Sequence, residues 1–190
     1  NNFLQEANLL DMSKEIFNSV VDENLKVETR FQLLSSKIQD AETVNFILAD
    51  GLGFLNLQST DSFLNEYINC SINTTFPSST NVALTTIATL KNPIEHGIFG
   101  YYMYDKLNYG LINALNWNSE NKDLLQEDYF KSQSSVWNTF KESNIYASNF
   151  QPKNLINTPL SNFLYEDKST VPYISQEAVS YTHLRAHETR

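Results

Sequence analysis

Apolar residues in the first forty positions recur at helical spacing. Leu9, Leu10, Met12, Ile16, Phe17 and Val20 fall on one helical face, and Phe31, Leu33, Leu34 and Ile38 predict a second short helix. The pattern then changes. Val44 to Ala49 is a nearly continuous apolar run that ends on Asp50-Gly51-Leu52-Gly53. A short apolar run without alternation predicts a strand covered on both faces, as in a parallel sheet. Asp61 to Tyr67 reads as a short helix capped by Ser59, Thr60 or Asp61. Ile72 to Phe76 reads as a second strand, stopped by Pro77. Val82, Leu84, Ile87, Ala88 and Leu90 predict a buried helix from Thr80 to Leu90, with Ser78, Ser79 and Thr80 as candidate N-caps.

Pro93 is expected to close that helix and introduce Glu95-His96-Gly97. Tyr101–Asp105 and Leu111–Trp117, joined across Asn108-Tyr109-Gly110, predict a hairpin. Ser135 to Lys141 resembles a helix and Ile145 to Phe150 a strand. The order β-α-β-α, hairpin, α-β predicts an α/β fold with a mostly parallel sheet. At 190 residues one domain is the default.

The last twelve residues break the pattern. Val179 to Arg190 holds two of the three histidines, His183 and His187, and resembles translated sequencing-adapter read-through. Residues 1–178 are therefore taken as the N-terminal part of one domain and residues 179–190 as a non-native tail, with the natural chain interrupted near Ala178.

Composition narrows the function classes. A hydrophobic fraction of 41% with 13% aromatics belongs to a globular protein. A formal net charge of -9 opposes binding to a nucleic-acid polymer or an anionic membrane. An anionic substrate is still admissible where a metal or a helix terminus supplies positive charge. The single cysteine, Cys70, excludes an intramolecular disulfide and a cysteine-based zinc site. No apolar run reaches the roughly 18 residues a membrane span needs. No secretory signal is visible, which tips the expected compartment toward the cytoplasm, although the chain begins Asn1-Asn2 without methionine. All five glycines lie between Gly51 and Gly110, so tight loops concentrate there.

Candidate chemistry begins at Asp50. A carboxylate at the end of a buried parallel strand sits where open α/β sheets place their ligands. It could bind a metal, orient a base or cap the next helix. Gly51-Leu52-Gly53 does not extend to the dinucleotide fingerprint, because Asn56 occupies the third glycine position. Thr80, at the start of a buried helix, is either an N-cap or a nucleophile whose neighbouring amides face an anion. A threonine hydroxyl attacks poorly unless a base or a metal lowers its pKa, and Asp50 could help hold that metal.

Four segments together resemble the type I phosphodiesterase/nucleotide pyrophosphatase group of the alkaline phosphatase superfamily. They are Val44–Asp50-Gly51-Leu52-Gly53, Phe76-Pro77-Ser78-Ser79-Thr80, Thr85-Thr86-Ile87-Ala88-Thr89 and Pro93-Ile94-Glu95-His96-Gly97-Ile98. The resemblance covers roughly residues 44–105 in order and spacing. It implies an incomplete, alkaline-phosphatase-like three-layer α/β/α sandwich with a mostly parallel central sheet. It also implies a hydrolase of phosphate mono- or diesters with two divalent metals, expected to be zinc. Thr80 would be nucleophile and metal ligand and Asp50 a metal ligand, and a phosphothreonine intermediate would form. The partner would be a small phosphoester. The remaining ligands would lie on sequence this chain lacks, leaving the fragment inactive.

The family nucleophile stands nine positions before the threonine at the helix end. Counting back from Thr89 gives Thr80, whereas the look-alike Thr75 is fourteen away. Two residues depart from the family. Leu90 replaces a glycine after Thr89, and Tyr101 stands where animal members carry an asparagine that steadies a phosphoryl oxygen. Tyr101 could contact that oxygen through its hydroxyl or simply pack. His96 is expected to be structural. His183 and His187 imitate a helical zinc pair within the excluded tail. Asn69-Cys70-Ser71 and Asn73-Thr74-Thr75 match the glycosylation pattern but are expected in a buried strand. The rival readings are a non-catalytic ligand-binding relative and a phosphonate hydrolase of the same superfamily.

Overall fold

A helix buried on most of its surface organises the chain, and its sequence carries unusually many threonines. The computed structural model describes residues 6–34, 38, 41–105, 110–114, 118–119, 133–165 and 170–174. The helices are α1 (Leu9–Asn18), α2 (Phe54–Gln58), α3 (Thr80–Thr89), α4 (Pro93–His96), α5 (Val136–Glu142) and α6 (Pro159–Leu164). The strands are β1 (Tyr102–Asp105), β2 (Gly110–Asn113), β3 (Asn118–Ser119), β4 (Asn149–Pro152) and β5 (Thr170–Tyr173).

Helix α3 buries Asn81, Val82, Thr85, Thr86, Ala88 and Thr89. Buried hydroxyls need partners, and here the helix supplies them. Thr85 Oγ1 donates to the Asn81 carbonyl and Thr89 Oγ1 to the Thr85 carbonyl, both at 2.7 Å. That back-bonding lets a polar helix sit in a core. Val82 packs with Ile98, Ala114 and Met103 on one side; Ala88 packs with Leu160, Leu164 and Leu84 on another. The helix ends at Leu90, which caps it in the left-handed region at φ 53°. Pro93 opens α4 rather than closing α3. Asn92 caps it, and the Asn92 amide donates to Glu95 Oε2 at 2.8 Å, the usual place for proline in a first turn.

Helix α1 packs against α3 and forms where its spacing predicts. Asn8 Oδ1 accepts from the Leu10 and Asp11 amides while the Asn8 amide donates to Asp11 Oδ2, a reciprocal cap. Buried Asp11 also takes both arms of Arg30, at 3.0 and 2.8 Å, and this partner raises the Arg30 pKa. The second helix expected from Phe31 does not form over 31–34. The Glu15 carboxylate accepts the Leu33 and Leu34 amides at 2.7 and 2.9 Å, so those donors are satisfied without a helix.

Helix and strand are mixed, as in α/β proteins, but the sheets are small. β1, β2 and β3 form an antiparallel sheet with Tyr102 opposite Asn113 and Ile112 opposite Ser119. The predicted hairpin is there, with its tip (106–109) outside the described residues. β4 and β5 pair in parallel, Asn149 opposite Thr170, with α6 between them in sequence. Parallel neighbours require such a crossover.

The central, mostly parallel sheet is not what the described residues form. The run from Val44 to Ala49 has no ladder partner among them, and Ile47 is 87% exposed. Ile72–Phe76 contributes one parallel bridge, Asn8 to Asn73, instead of a strand. The expected Ile145 strand starts at Asn149, because Asn144 turns left-handed and the Ile145 amide still closes the end of α5 on the Phe140 carbonyl at 2.8 Å. The helix expected over 61–67 is a 3-10 segment, Phe63–Tyr67, with Ser62 as its cap. Ser59 and Thr60 donate backwards to the carbonyls of Asn56 and Leu57 and finish α2 instead.

Candidate active site

The turn after the apolar run places Asp50. Gly51 takes φ 78° there, a conformation that favours glycine. Gly53 then starts α2. Thirty residues later the loop through the cis Phe76–Pro77 bond delivers Ser79 to the N-cap and Thr80 to the first position of α3. The Ser79 hydroxyl does not cap the helix. It donates to Asn81 Oδ1 at 2.9 Å, so no side chain covers the first-turn amides of α3. These amides and the helix dipole give the Thr80 end a positive character.

Thr80 Oγ1 donates to Asp50 Oδ2 at 3.1 Å, and the Tyr101 hydroxyl donates to Thr80 Oγ1 at 3.1 Å. The result is a directed chain, Tyr101 to Thr80 to Asp50, open to solvent. The Thr80 proton points at a carboxylate, and one lone pair already accepts a hydroxyl. Thr75 faces elsewhere. It is buried, and its hydroxyl donates to the Pro77 carbonyl at 3.0 Å. The site therefore joins Asp50, Thr80 and Tyr101 and leaves Thr75 in the loop's own bonding.

His96 is taken up by the core. It is 1% exposed. The Ile98 amide donates to Nδ1 at 3.1 Å, so the neutral ring carries its proton on Nε2 and donates it to Thr86 Oγ1 at 3.0 Å. Gln133 Nε2 donates to the His96 carbonyl. Burial lowers the pKa to about 4. Both ring nitrogens are committed, and neither is offered to a metal.

Two expectations stand differently. Asn69 and Asn73 are exposed rather than in a buried strand, because only one backbone bridge holds that segment. His183 and His187 lie outside the described residues, as does the whole of 179–190. Asn81 lies outside the motifs above, yet it binds the loops on either side of the site. Its signal was an amide followed by Thr85 and Thr89 at four-residue steps, a polar stripe on an otherwise apolar helix.

Among the described residues no group of three or more His, Cys, Asp or Glu side chains gathers. Asp50 and Thr80 thus offer one carboxylate and one hydroxyl, two oxygen donors. No described helix is long and apolar enough to cross a membrane.

The family model for type I phosphodiesterase / nucleotide pyrophosphatase matches residues 44–190. The chain belongs to that family. Asp50, Thr80 and Tyr101 all fall inside the matched region, whereas α1 and the Arg30–Asp11 pair precede it. A phosphodiesterase-type hydrolase acting on small phosphoesters is the activity this membership supports. No curated protein and no solved structure matches the chain significantly.

Proposed function

We propose that the complete protein is a metal-dependent hydrolase of phosphate mono- or diesters that attacks phosphorus through Thr80. The observation that carries this reading is the Tyr101–Thr80–Asp50 hydrogen-bonded chain within a phosphodiesterase-family domain. Asp50 and Thr80 fit one divalent ion as neighbouring oxygen donors, zinc being compatible with both. A second zinc, and the rest of the first one's ligands, require donors beyond the described residues. In the complete domain the Val44–Ala49 run would become an inner strand of a three-layer α/β/α sandwich.

When bound, the metal lowers the hydroxyl's pKa and offsets phosphoryl charge. The residues of this chain do the rest. Asp50 orients the Thr80 proton away from the face that meets phosphorus. Thr80 Oγ1 forms a bond to phosphorus as its proton passes by way of Asp50 Oδ2 to solvent and the ester oxygen leaves, taking up a proton from solvent. Tyr101, freed from Thr80, donates to a non-bridging oxygen, and the first-turn amides of α3 add their dipole. Water then attacks the phosphothreonine, phosphate or its monoester departs, and Thr80 recovers its proton.

The test is an acid quench of the complete, zinc-loaded protein with bis-p-nitrophenyl phosphate and with p-nitrophenyl phosphate. Mass spectrometry is expected to find phosphate from the monoester, or nitrophenyl phosphate from the diester, on the Thr80 peptide, and Thr80→Ala to abolish turnover. Full activity in Thr80→Ala would remove the nucleophile and with it this mechanism.

A further inference from the structure

We infer that Asn81 is a positioning residue that sets the spacing between the Thr80 and Tyr101 hydroxyls. This rests on the reading of Thr80 and Tyr101 given above. Asn81 is 0% exposed and immediately follows Thr80. Its Nδ2 donates to the Gly100 carbonyl at 2.7 Å, and its Oδ1 accepts from Ser79 Oγ at 2.9 Å. Gly100 is the residue before Tyr101, and Ser79 is the residue before Thr80. One amide therefore grips the backbone entering one hydroxyl-bearing residue and the side chain entering the other.

The environment makes that grip stiff. Val82, next on the helix, and Ile98, two residues before Gly100, are both fully buried. The Asn81 carbonyl accepts Thr85 Oγ1 at 2.7 Å, which fixes the helix turn carrying it. A buried amide with donor and acceptor both satisfied has one orientation, because any rotation strands a polar group away from water. Tyr101 is tied on its other side as well, its carbonyl accepting the Ala114 amide at 2.6 Å. It is 43% exposed and its hydroxyl bond goes to Thr80. Its reach is thus set from two sides, through Gly100 and through Ala114, and Asn81 governs the first.

Substitution can separate the two arms. Asn81→Asp keeps the shape and the acceptor for Ser79 but replaces the Gly100 donor by an oxygen that the carbonyl repels. Ser79→Ala removes the other arm and leaves the Gly100 bond. A displacement of the Tyr101 ring by about an ångström lowers turnover by up to the roughly tenfold that loss of its hydroxyl would cost.

Turnover of the complete protein is measured for Asn81→Asp, Ser79→Ala and Tyr101→Phe, and for Asn81→Asp combined with Tyr101→Phe. If Asn81 acts through Tyr101, the loss from Asn81→Asp disappears in the Tyr101→Phe background. Equal losses in both backgrounds would make Asn81 a support of the fold alone and overturn the inference. Ser79→Ala perturbs the core least and is expected to show a smaller loss with the same coupling. A second readout needs no activity. In this chain the Asn81 side-chain amide protons are expected to exchange slowly with solvent, and fast exchange would show that the Gly100 bond does not form. Thr80→Ala is run alongside. If it keeps full activity, the Thr80 reading has failed. If it is inactive while Asn81→Asp is unaffected, only the inference about Asn81 has failed.

Discussion

Thr80 Oγ1 and Asp50 Oδ2 lie 3.1 Å apart, although thirty residues of chain separate them. Neither sits on a sheet strand. Asp50 ends an extended run with no strand partner among the described residues, and Thr80 begins a helix anchored deep in the core. The contact therefore depends on α3 holding its own first turn. Val82, Ala88 and the back-bonded threonines do that, leaving the Thr80 end of the helix free for chemistry.

Asp50→Asn keeps an oxygen acceptor for Thr80 but removes the charge that would hold a cation. Zinc affinity, read by calorimetry, is expected to fall at least tenfold, and turnover of the complete protein to fall with it. In this 190-residue chain zinc binding is expected to be weak from the start, because among the described residues only the Asp50 carboxylate and the Thr80 hydroxyl converge as donors. A tight site with two zinc ions per chain would show that the remaining ligands are already here.

Tyr101→Phe removes one hydroxyl from a half-exposed ring. Stability should change little, since burial of the ring is partial. Removing a donor aimed at developing charge lowers kcat by about a hundredfold where it is fully enclosed. At this open site a loss of roughly tenfold is expected, visible in steady-state rates with either nitrophenyl ester. Unchanged rates would leave Tyr101 a packing residue.

How much of this was legible beforehand differs by element. Helix α3 was readable because its apolar positions repeat and its capping loop is proline-bounded, and counting back along it led to Thr80. The hairpin was readable from its alternation around Gly110. The Val44–Ala49 run was not, because an apolar stretch states a need for neighbours without supplying them. Over 31–34 the helix expected from Phe31 does not form, for a similar reason. The Glu15 carboxylate, far away in sequence, satisfies those amides. Asn81 was less legible, because the polar stripe it shares with Thr85 and Thr89 marks one helix face without showing that both ends of the amide will be used.

Leu90 caps α3 at φ 53°, where a side chain is strained by about 1–2 kcal/mol and glycine is not. Leu90→Gly removes that strain, offset in part by the loss of a half-buried side chain and by a floppier unfolded chain. A net gain of about 0.5 kcal/mol is expected, measurable as a higher urea midpoint. A lower midpoint would mean that Leu90 packs more tightly than its exposure indicates.

His96 gives the fold a pH dependence with a definite sign. Its pKa is lowered by burial from 6.5 in the unfolded chain to about 4 in the folded one. Above 6.5 both states hold the neutral ring, so the stability is fully present. As pH falls from 6.5 toward 4 the unfolded chain takes up a proton that the folded one refuses, and each unit of difference removes about 1.4 kcal/mol. Below 4 the folded ring is protonated as well, so the loss levels off. Glu95 raises the pKa and Lys91 lowers it, both more weakly than burial. Carboxylates also titrate as the solution becomes acid, so the comparison that isolates His96 is with His96→Gln, which keeps an amide donor for Thr86. Urea midpoints of the two proteins are expected to diverge most near pH 7 and to converge toward pH 4, because only the parent loses this contribution on acidification. Parallel curves would show that the ring titrates at the same pH in the folded and the unfolded chain.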